Sequence, residues 1–277
     1  MKVGYLGPEG TFSEEAGQLY CKKLEDKAEL VPYPTFHDIL LAVDKGKVHE
    51  AIVPIENSME GTIGIVTDML AKEVDLKIRQ EIILPVYHYL LALKGVKLSQ
   101  VTDIISHPQP IDQCKDYLRK HFPKAKLHLA FSTSQASYQV ATSHQGFAAI
   151  ANIASAKLYG LNILASKINA KENKTRFVVL AKKDHIHTGK DKSSIVFSIP
   201  KNRPGGLHDA LAVFAQRNIN LTKIESRPSK KALGEYLFFA DMEGHMSDKV
   251  VAQALKELKQ KSSFFKFLGS YPKAVAS

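Results

Sequence analysis

Five consecutive residues, Asn173-Lys174-Thr175-Arg176-Phe177, set a hydroxyl, a guanidinium and an aromatic ring side by side, directly before the apolar run Val178-Val179-Leu180. A strand whose buried part begins at Phe177 would hold this polar trio at its mouth, where a cleft can use it. A second polar group, Glu56-Asn57-Ser58, follows the apolar run Ala51-Ile52-Val53-Pro54-Ile55 and precedes a helical pattern. These three residue types are also the ordinary material of a turn and a helix cap. Gly4, Gly7 and Gly10 follow an apolar strand pattern, but their spacing fits neither a dinucleotide fingerprint nor a Walker loop, which argues against nucleotide binding. A helix beginning behind Gly10-Thr11 would still offer N–H donors to a carboxylate. His107 could serve as a base, a metal ligand or a loop histidine. With no second histidine at ligand spacing, metal binding is disfavoured, and a loop or supporting role is expected. Ser58 and Ser134 have no base in the sequence to make either a nucleophile, and there is no G-x-S-x-G elbow.

The chain has 277 residues, enough for one large or two ordinary domains. Its net charge of +10 is spread along the whole length, in pairs such as Lys22-Lys23, Lys182-Lys183 and Lys230-Lys231. Nucleic-acid binders concentrate charge in a stripe, so no nucleic-acid partner is expected. A basic field does favour a small dianionic ligand. No apolar run reaches membrane-spanning length, and Met1 leads straight into a strand pattern with no signal peptide, so no membrane partner is expected. Cys21 and Cys114 lie far apart, giving neither a disulfide framework nor a metal spacing and making a reducing cytoplasm the expected location.

The elements that must position these residues alternate in the α/β manner. Strands are expected at 2–6, 28–31 and 51–55. Between them come a helix capped by Thr11 or Ser13 and one capped by Thr35, with Asp38 closing a capping box and Gly46 ending it. A helix over 62–70 follows Glu56–Gly61. From Gln80 the texture changes: a long apolar stretch over 81–93, broken by Pro85, carries His88 between Tyr87 and Tyr89. A second series follows, with strands at 104–105, 127–130 and 147–150, helices over 111–121 and 153–159, and one opened by Ser132 or Thr133. Asn152 stands at the last strand's end. The region from Ile163 to Leu180 is expected to return to the first lobe. The pattern predicts a bilobal, periplasmic-binding-protein-like (type II) α/β domain whose hinged cleft closes on a small ligand. Beyond a polar linker over 181–192, strands at 194–199, 219–225, 236–242 and 264–268 and helices over 207–217 and 250–258 give β-α-β-β-α-β, a ferredoxin-like unit.

Taken together, Gly7-Pro8-Glu9-Gly10-Thr11-Phe12-Ser13, Pro54-Ile55-Glu56-Asn57-Ser58-Met59-Glu60-Gly61, Ser106-His107-Pro108-Gln109 and Asn173-Lys174-Thr175-Arg176-Phe177 resemble, in order, the signatures of the prephenate dehydratase family. Pro204-Gly205-Gly206-Leu207, Ile219-Asn220-Leu221 and Glu225-Ser226-Arg227-Pro228 resemble its ACT regulatory domain. One departure is visible: Gly205-Gly206-Leu207 stands where the family usually has Gly-Ala-Leu, which loosens the helix start. The resemblance, to a monofunctional member with no chorismate mutase segment before Met1, implies a catalytic domain over 1–183 and an ACT domain over 193–272. Lobe one would cover about 1–79 and 163–183, and lobe two about 80–162. It implies decarboxylating dehydration of prephenate to phenylpyruvate, a reaction driven by aromatisation that needs no cofactor or metal. Thr175 is then the proton donor, Arg176 a bidentate fork for a substrate carboxylate and Phe177 a wall. Asn57, Ser58, Thr11 and Asn152 are hydrogen-bond donors lining the cleft. L-phenylalanine would bind at Gly205, Leu207, Asn220, Glu225, Ser226, Arg227 and Pro228 between paired ACT domains of a homodimer or homotetramer. Arogenate dehydration and a non-catalytic amino-acid sensor are the rival readings.

Overall fold

The structure, a computed structural model, describes residues 1–24, 28–200, 204–230 and 234–274. The chain opens β1 (Lys2–Leu6), α1 (Phe12–Lys22), β2 (Glu29–Tyr33), α2 (Phe36–Asp44), β3 (Glu50–Asn57), β4 (Gly61–Thr62), α3 (Gly64–Lys72) and β5 (Lys77–Pro85). β1 and β2 pair in parallel, Lys2 against Glu29 through Leu6 against Tyr33. The caps are as the side-chain types dictate. Thr11 Oγ1 accepts the Glu14 N–H at 3.3 Å, and Thr35 Oγ1 accepts the Asp38 N–H at 3.1 Å while donating to the Asp38 carboxylate at 2.6 Å. The expected helix from Thr62 begins two residues later, because Gly61 and Thr62 fold back on Asn57 and Glu56 as a two-residue strand.

The chain then builds a second sheet from β6 (Tyr89–Ala92), β7 (Asp103–Ser106), β8 (Lys126–Leu129), β9 (Phe147–Ala151) and β10 (Asn162–Ala165), with helices α4 (Pro108–Gln113), α5 (Lys115–His121), α6 (Thr133–Ala141) and α7 (Ile153–Leu158). The single helix expected over 111–121 starts earlier, on Pro108, and is divided at Cys114. Strand order is β10-β6-β9-β7-β8. Both faces of this sheet are buried. Leu90, Ile104, Ala148 and Ile150 pack on one side, and Leu91, Ile105, Ala149 and Ala151 on the other. Two-sided burial explains why these strands read as unbroken apolar runs rather than alternating ones. β10 pairs with β6, so the chain leaves the second sheet only after Ala165, later than Ile163.

The return strand is β11 (Lys174–Ala181), which enters the first sheet in the order β2-β1-β3-β11-β5, with β4 appended to β3. A returning strand inserted between β3 and β5 matches the expected type II arrangement. Beyond it come β12 (Asp191–Ser198), α8 (Gly206–Ala215), β13 (Leu221–Pro228), β14 (Tyr236–Glu243), α9 (Lys249–Lys261) and β15 (Phe264–Pro272). They form an antiparallel sheet ordered β13-β14-β12-β15, the ferredoxin-like topology. Ile195, Phe197, Phe238, Ala240 and Met242 on this sheet bury against Val213 and Phe214 of α8 and Val251, Ala254 and Leu258 of α9. Between the strands expected at 219–225 and 236–242 the sequence pattern places a turn over 229–234; its middle, residues 231–233, lies outside the described residues.

The chain divides into two compact units. One comprises Met1–Ile39, Ile52–Ile63 and Ile83–Phe177; the other comprises Leu40–Ala51, Gly64–Ile82 and Val178–Ser277. Among the described residues no helix is long and apolar enough to cross a membrane.

Candidate active site

The first unit contains a cavity of about 690 Å³. Its walls come from the end of β1 and the loop to α1 (Leu6, Thr11, Phe12), from β3 and its hairpin (Pro54, Asn57, Glu60), and from the start of β11 (Asn173, Thr175, Phe177). The segment between β5 and β6 adds Val86 and His88, and the loops after β7 and β8 add His107, Gln109, Ser132 and Thr133. Gly10 holds the first of these loops in place. Its φ of +77° suits glycine, and a Cβ there would crowd Ser134, Ser155 and Leu158. Ser155 Oγ donates to the Gly10 carbonyl at 2.8 Å, and Ser134 Oγ donates to the Glu9 carbonyl. Ser134 is thus engaged structurally, in keeping with its lack of a base.

Thr175 is only 8 % exposed. Asn57 Nδ2 donates to its Oγ1 at 2.9 Å. The direction of that bond is fixed, because Asn57 Oδ1 already accepts the N–H groups of Met59 at 2.9 Å and Glu60 at 3.2 Å. The amide therefore presents its nitrogen to Thr175. With its oxygen receiving a hydrogen bond, the Thr175 hydroxyl keeps its own proton to donate.

A second amide is arranged in the same way. Gln113 Oε1 lies 3.0 Å from Asn173 Nδ2 and 2.9 Å from His88 Nε2. Gln113 Nε2 and His88 Nδ1 are buried with no hydrogen-bond partner among the described residues. Burial holds the His88 imidazole below the usual histidine pKa, against a smaller upward effect of the Gln113 hydrogen bond, so it is neutral near pH 7. His107 caps α4, its Nδ1 accepting the Gln109 N–H at 3.4 Å, as expected of a loop histidine.

The residues singled out by sequence separate into two groups. Thr175, Phe177, Asn57 and Thr11 line the cavity; Arg176, Ser58 and Asn152 do not. β-Strand alternation accounts for Arg176: Asn173, Thr175 and Phe177 face the cavity, and the residues between them face away. The Arg176 guanidinium lies 3.6 Å from the Glu56 carboxylate. Ser58 ties β3 to β11, its N–H donating to the Lys174 carbonyl and its Oγ accepting the Lys174 N–H, both at 2.9 Å. Asn152 caps α7, its Oδ1 accepting the Ser155 N–H at 3.0 Å.

Sequence reasoning overlooked Gln113, Asn173, Glu60 and His88 as cavity residues. Signals existed for three of them: Asn173 and Glu60 stand inside the quoted signatures, and His88 is a polar residue inside an apolar stretch. Among the described residues no Lys or Arg lines the cavity, and Glu60 is the single carboxylate that does. The hydrogen-bond donors on this wall include hydroxyls and amides, and Thr11 and Ser132, the caps of α1 and α6, are among the lining residues.

In the second unit, Gly205 caps α8 with φ of +78°, and Leu207 packs partly buried against the ferredoxin-like core. Ser226 and Phe197 both pair with Phe238, so Glu225–Pro228 lie at the end of the sheet from which the chain runs on toward α8. Asn220 adjoins Leu221, which pairs with Met242 at the opposite end, so one copy of the chain does not bring it to the others. Arg227 Nε donates to Asp68 Oδ1 of α3 at 3.1 Å, and Lys230 Nζ lies 2.6 Å from the other carboxylate oxygen. Gly64, at the start of α3, leaves the space that this guanidinium fills.

The family model for prephenate dehydratase matches residues 3–185, and that for the ACT domain matches residues 193–260. The chain is 41 % identical over 276 residues to a bifunctional chorismate mutase/prephenate dehydratase of Aquifex aeolicus, covering 99 % of this chain and 74 % of that protein. It is 38 % identical over 274 residues to a prephenate dehydratase of Methanocaldococcus jannaschii, covering 98 % and 97 %. The solved prephenate dehydratase of Arthrobacter aurescens, in complex with L-Phe, is similar with a TM-score of 0.89 and 34 % identity, over 100 % of this chain and 93 % of that one.

Proposed function

Because the chain belongs to the prephenate dehydratase family and carries an ACT domain, we propose that it is a carbon–oxygen lyase that converts prephenate to phenylpyruvate, CO2 and water for L-phenylalanine biosynthesis. In this reading residues 1–183 form the catalytic domain and 193–272 the regulatory one. The observation that carries the reading is the Asn57-to-Thr175 hydrogen bond, which leaves a buried hydroxyl free to donate into the cavity.

The reaction needs little else. Loss of the ring carboxylate as CO2 supplies an electron pair, loss of the ring hydroxyl removes it, and the product ring is aromatic. An alcohol is a poor acid, but a hydroxyl whose oxygen receives an amide N–H is a better one, and general-acid assistance is worth roughly 10²–10⁴-fold. Thr175 gives its proton to the departing hydroxyl as that oxygen becomes water. That no Lys or Arg lines the cavity among the described residues supports the decarboxylation as well, since a salt bridge would stabilise the carboxylate that must lose its charge. The pyruvyl carboxylate takes the neutral donors at the helix N-termini. Arg176 acts at one remove, through Glu56 on the strand that carries Asn57.

L-Phenylalanine as feedback effector follows from the ACT domain, with Gly205, Leu207 and Glu225–Pro228 as its contacts and a second copy of the chain completing the pocket. One observation favours a second reading: Glu60, the carboxylate in the cavity wall, would suit the ammonium group of arogenate.

Purified protein assayed for phenylpyruvate from prephenate, with and without phenylalanine, tests the proposal. Turnover that falls in Thr175→Ala through kcat far more than KM supports it. Turnover of arogenate alone would replace the substrate, and no turnover of either would leave a binding protein.

A further inference from the structure

His88 sits where the chain passes from the first sheet to the second, beside the segment that passes back. Its N–H donates to Asn169 Oδ1 at 3.0 Å, and its carbonyl accepts the Ile168 N–H at 2.9 Å. The residue is 2 % exposed, and its ring meets the Phe12 ring edge-on, with centroids 6.0 Å apart. Packing alone would favour an apolar residue here, because a buried imidazole nitrogen with no partner is destabilising.

The hydrogen bonds define what the ring does. Gln113 Oε1 accepts from Asn173 Nδ2, so the atom facing His88 Nε2 is an acceptor, and the imidazole proton must sit on Nε2. Two donors on Oε1 prevent the amide from flipping end for end. Its Nε2 hydrogens, which no described residue accepts, lie buried beside the cavity that Gln113 lines, so an oxygen reaches them only by pressing into that wall. We propose that His88 is a positioning residue that, as the neutral Nε2–H tautomer, locks the Gln113 amide with its NH2 presented to a carboxylate or carbonyl oxygen of the substrate. The proposal rests on the catalytic reading above for its substrate, and on geometry alone for its tautomer.

Nitrogen-15 NMR of the full chain labelled at histidine, compared with His88→Gln to assign the signal, reads the tautomer without any substrate. A neutral ring protonated at Nε2 is expected; protonation at Nδ1 overturns the proposal, even if the wild-type protein turns over prephenate. Absence of turnover would instead sink the functional reading and leave the tautomer result standing. In kinetics, His88→Leu should lower kcat/KM by about 10–100-fold, mainly through KM, as loss of one or two hydrogen bonds to substrate implies. His88→Gln, which keeps an N–H donor, should recover most of that loss. In a Gln113→Ala background His88→Leu should cost less than about twofold, because its target is gone. An equal loss in both backgrounds, or a His88→Gln protein that melts like wild type yet performs no better than His88→Leu, overturns the proposal.

Discussion

If the direction of the Asn57–Thr175 hydrogen bond makes Thr175 a donor, reversing that direction should stop catalysis without disturbing the fold. Asn57→Asp does this with almost no change of shape. One carboxylate oxygen still accepts the Met59 and Glu60 N–H groups, so the hairpin between β3 and β4 keeps its anchor. The other replaces an N–H donor 2.9 Å from Thr175 Oγ1 by an acceptor. An ionised carboxylate only accepts, so the Thr175 hydroxyl turns its proton toward the introduced group and away from the substrate. The loss is the general-acid factor, roughly 10²–10⁴ in kcat, or about 2.7–5.4 kcal/mol at 1.36 kcal/mol per decade. KM should move little. The two backbone N–H groups hold the introduced carboxylate in its charged form at neutral pH. As pH falls toward the carboxylate range, about 4, it gains a proton that it can donate to Thr175. The variant should then recover part of its rate, on an acid limb that the wild type lacks. Phenylpyruvate absorbance across pH, alongside a melting curve for each protein, is the assay. A variant that melts like wild type and keeps kcat within about threefold at pH 7.5 would refute the argument.

Three further outcomes follow from other parts of the molecule. Arg176→Lys should leave KM for prephenate within about twofold, because the guanidinium meets Glu56 and Arg176 is not among the residues lining the cavity; a KM raised more than tenfold would restore the substrate-fork role. Gly64→Ala should lower stability by about 1 kcal/mol at most in urea unfolding, since the added methyl meets only the flexible end of Arg227, which can move aside, and the gain in helix propensity offsets part of the lost Arg227–Asp68 contact; a loss above about 2 kcal/mol would mean that this contact cannot give way. Burial pushes the Asp191 carboxyl up, but the Thr188 hydroxyl at 2.5 Å and the Thr188 and Gly189 N–H groups outweigh it and hold the group below the usual carboxylate range. Its contribution is therefore complete above the unfolded pKa near 4 and lost as pH falls through the lower folded value, so Asp191→Asn should flatten the fall of Tm over that acid range.

What could be read from the sequence, and what could not, divides along a physical line. Strands and caps are local: Thr11, Thr35, Ser132 and Asn152 each accept the N–H three residues on, and that offset is visible in the residue types. The ferredoxin-like unit is legible in part for the same reason: β13 alternates and α9 carries an apolar stripe of Val251, Ala254, Leu255 and Leu258, while β12 and β14 are buried along most of their length and read as apolar runs. The cavity is not local. Asn57 meets Thr175 across 118 residues, and Gln113 meets His88 and Asn173 from 25 and 60 residues away. Arg176 shows how a correct element still misleads about a site. Adjacency in sequence suggested that hydroxyl, guanidinium and ring share one cleft, yet in a strand adjacent side chains point to opposite faces. Once β11 begins at Lys174, Thr175 and Phe177 must share a face and Arg176 must leave it. That parity has a chemical consequence. A guanidinium in the cavity would stabilise the carboxylate that decarboxylation has to discharge; turned away, it braces Glu56, next to the asparagine that keeps Thr175 a donor.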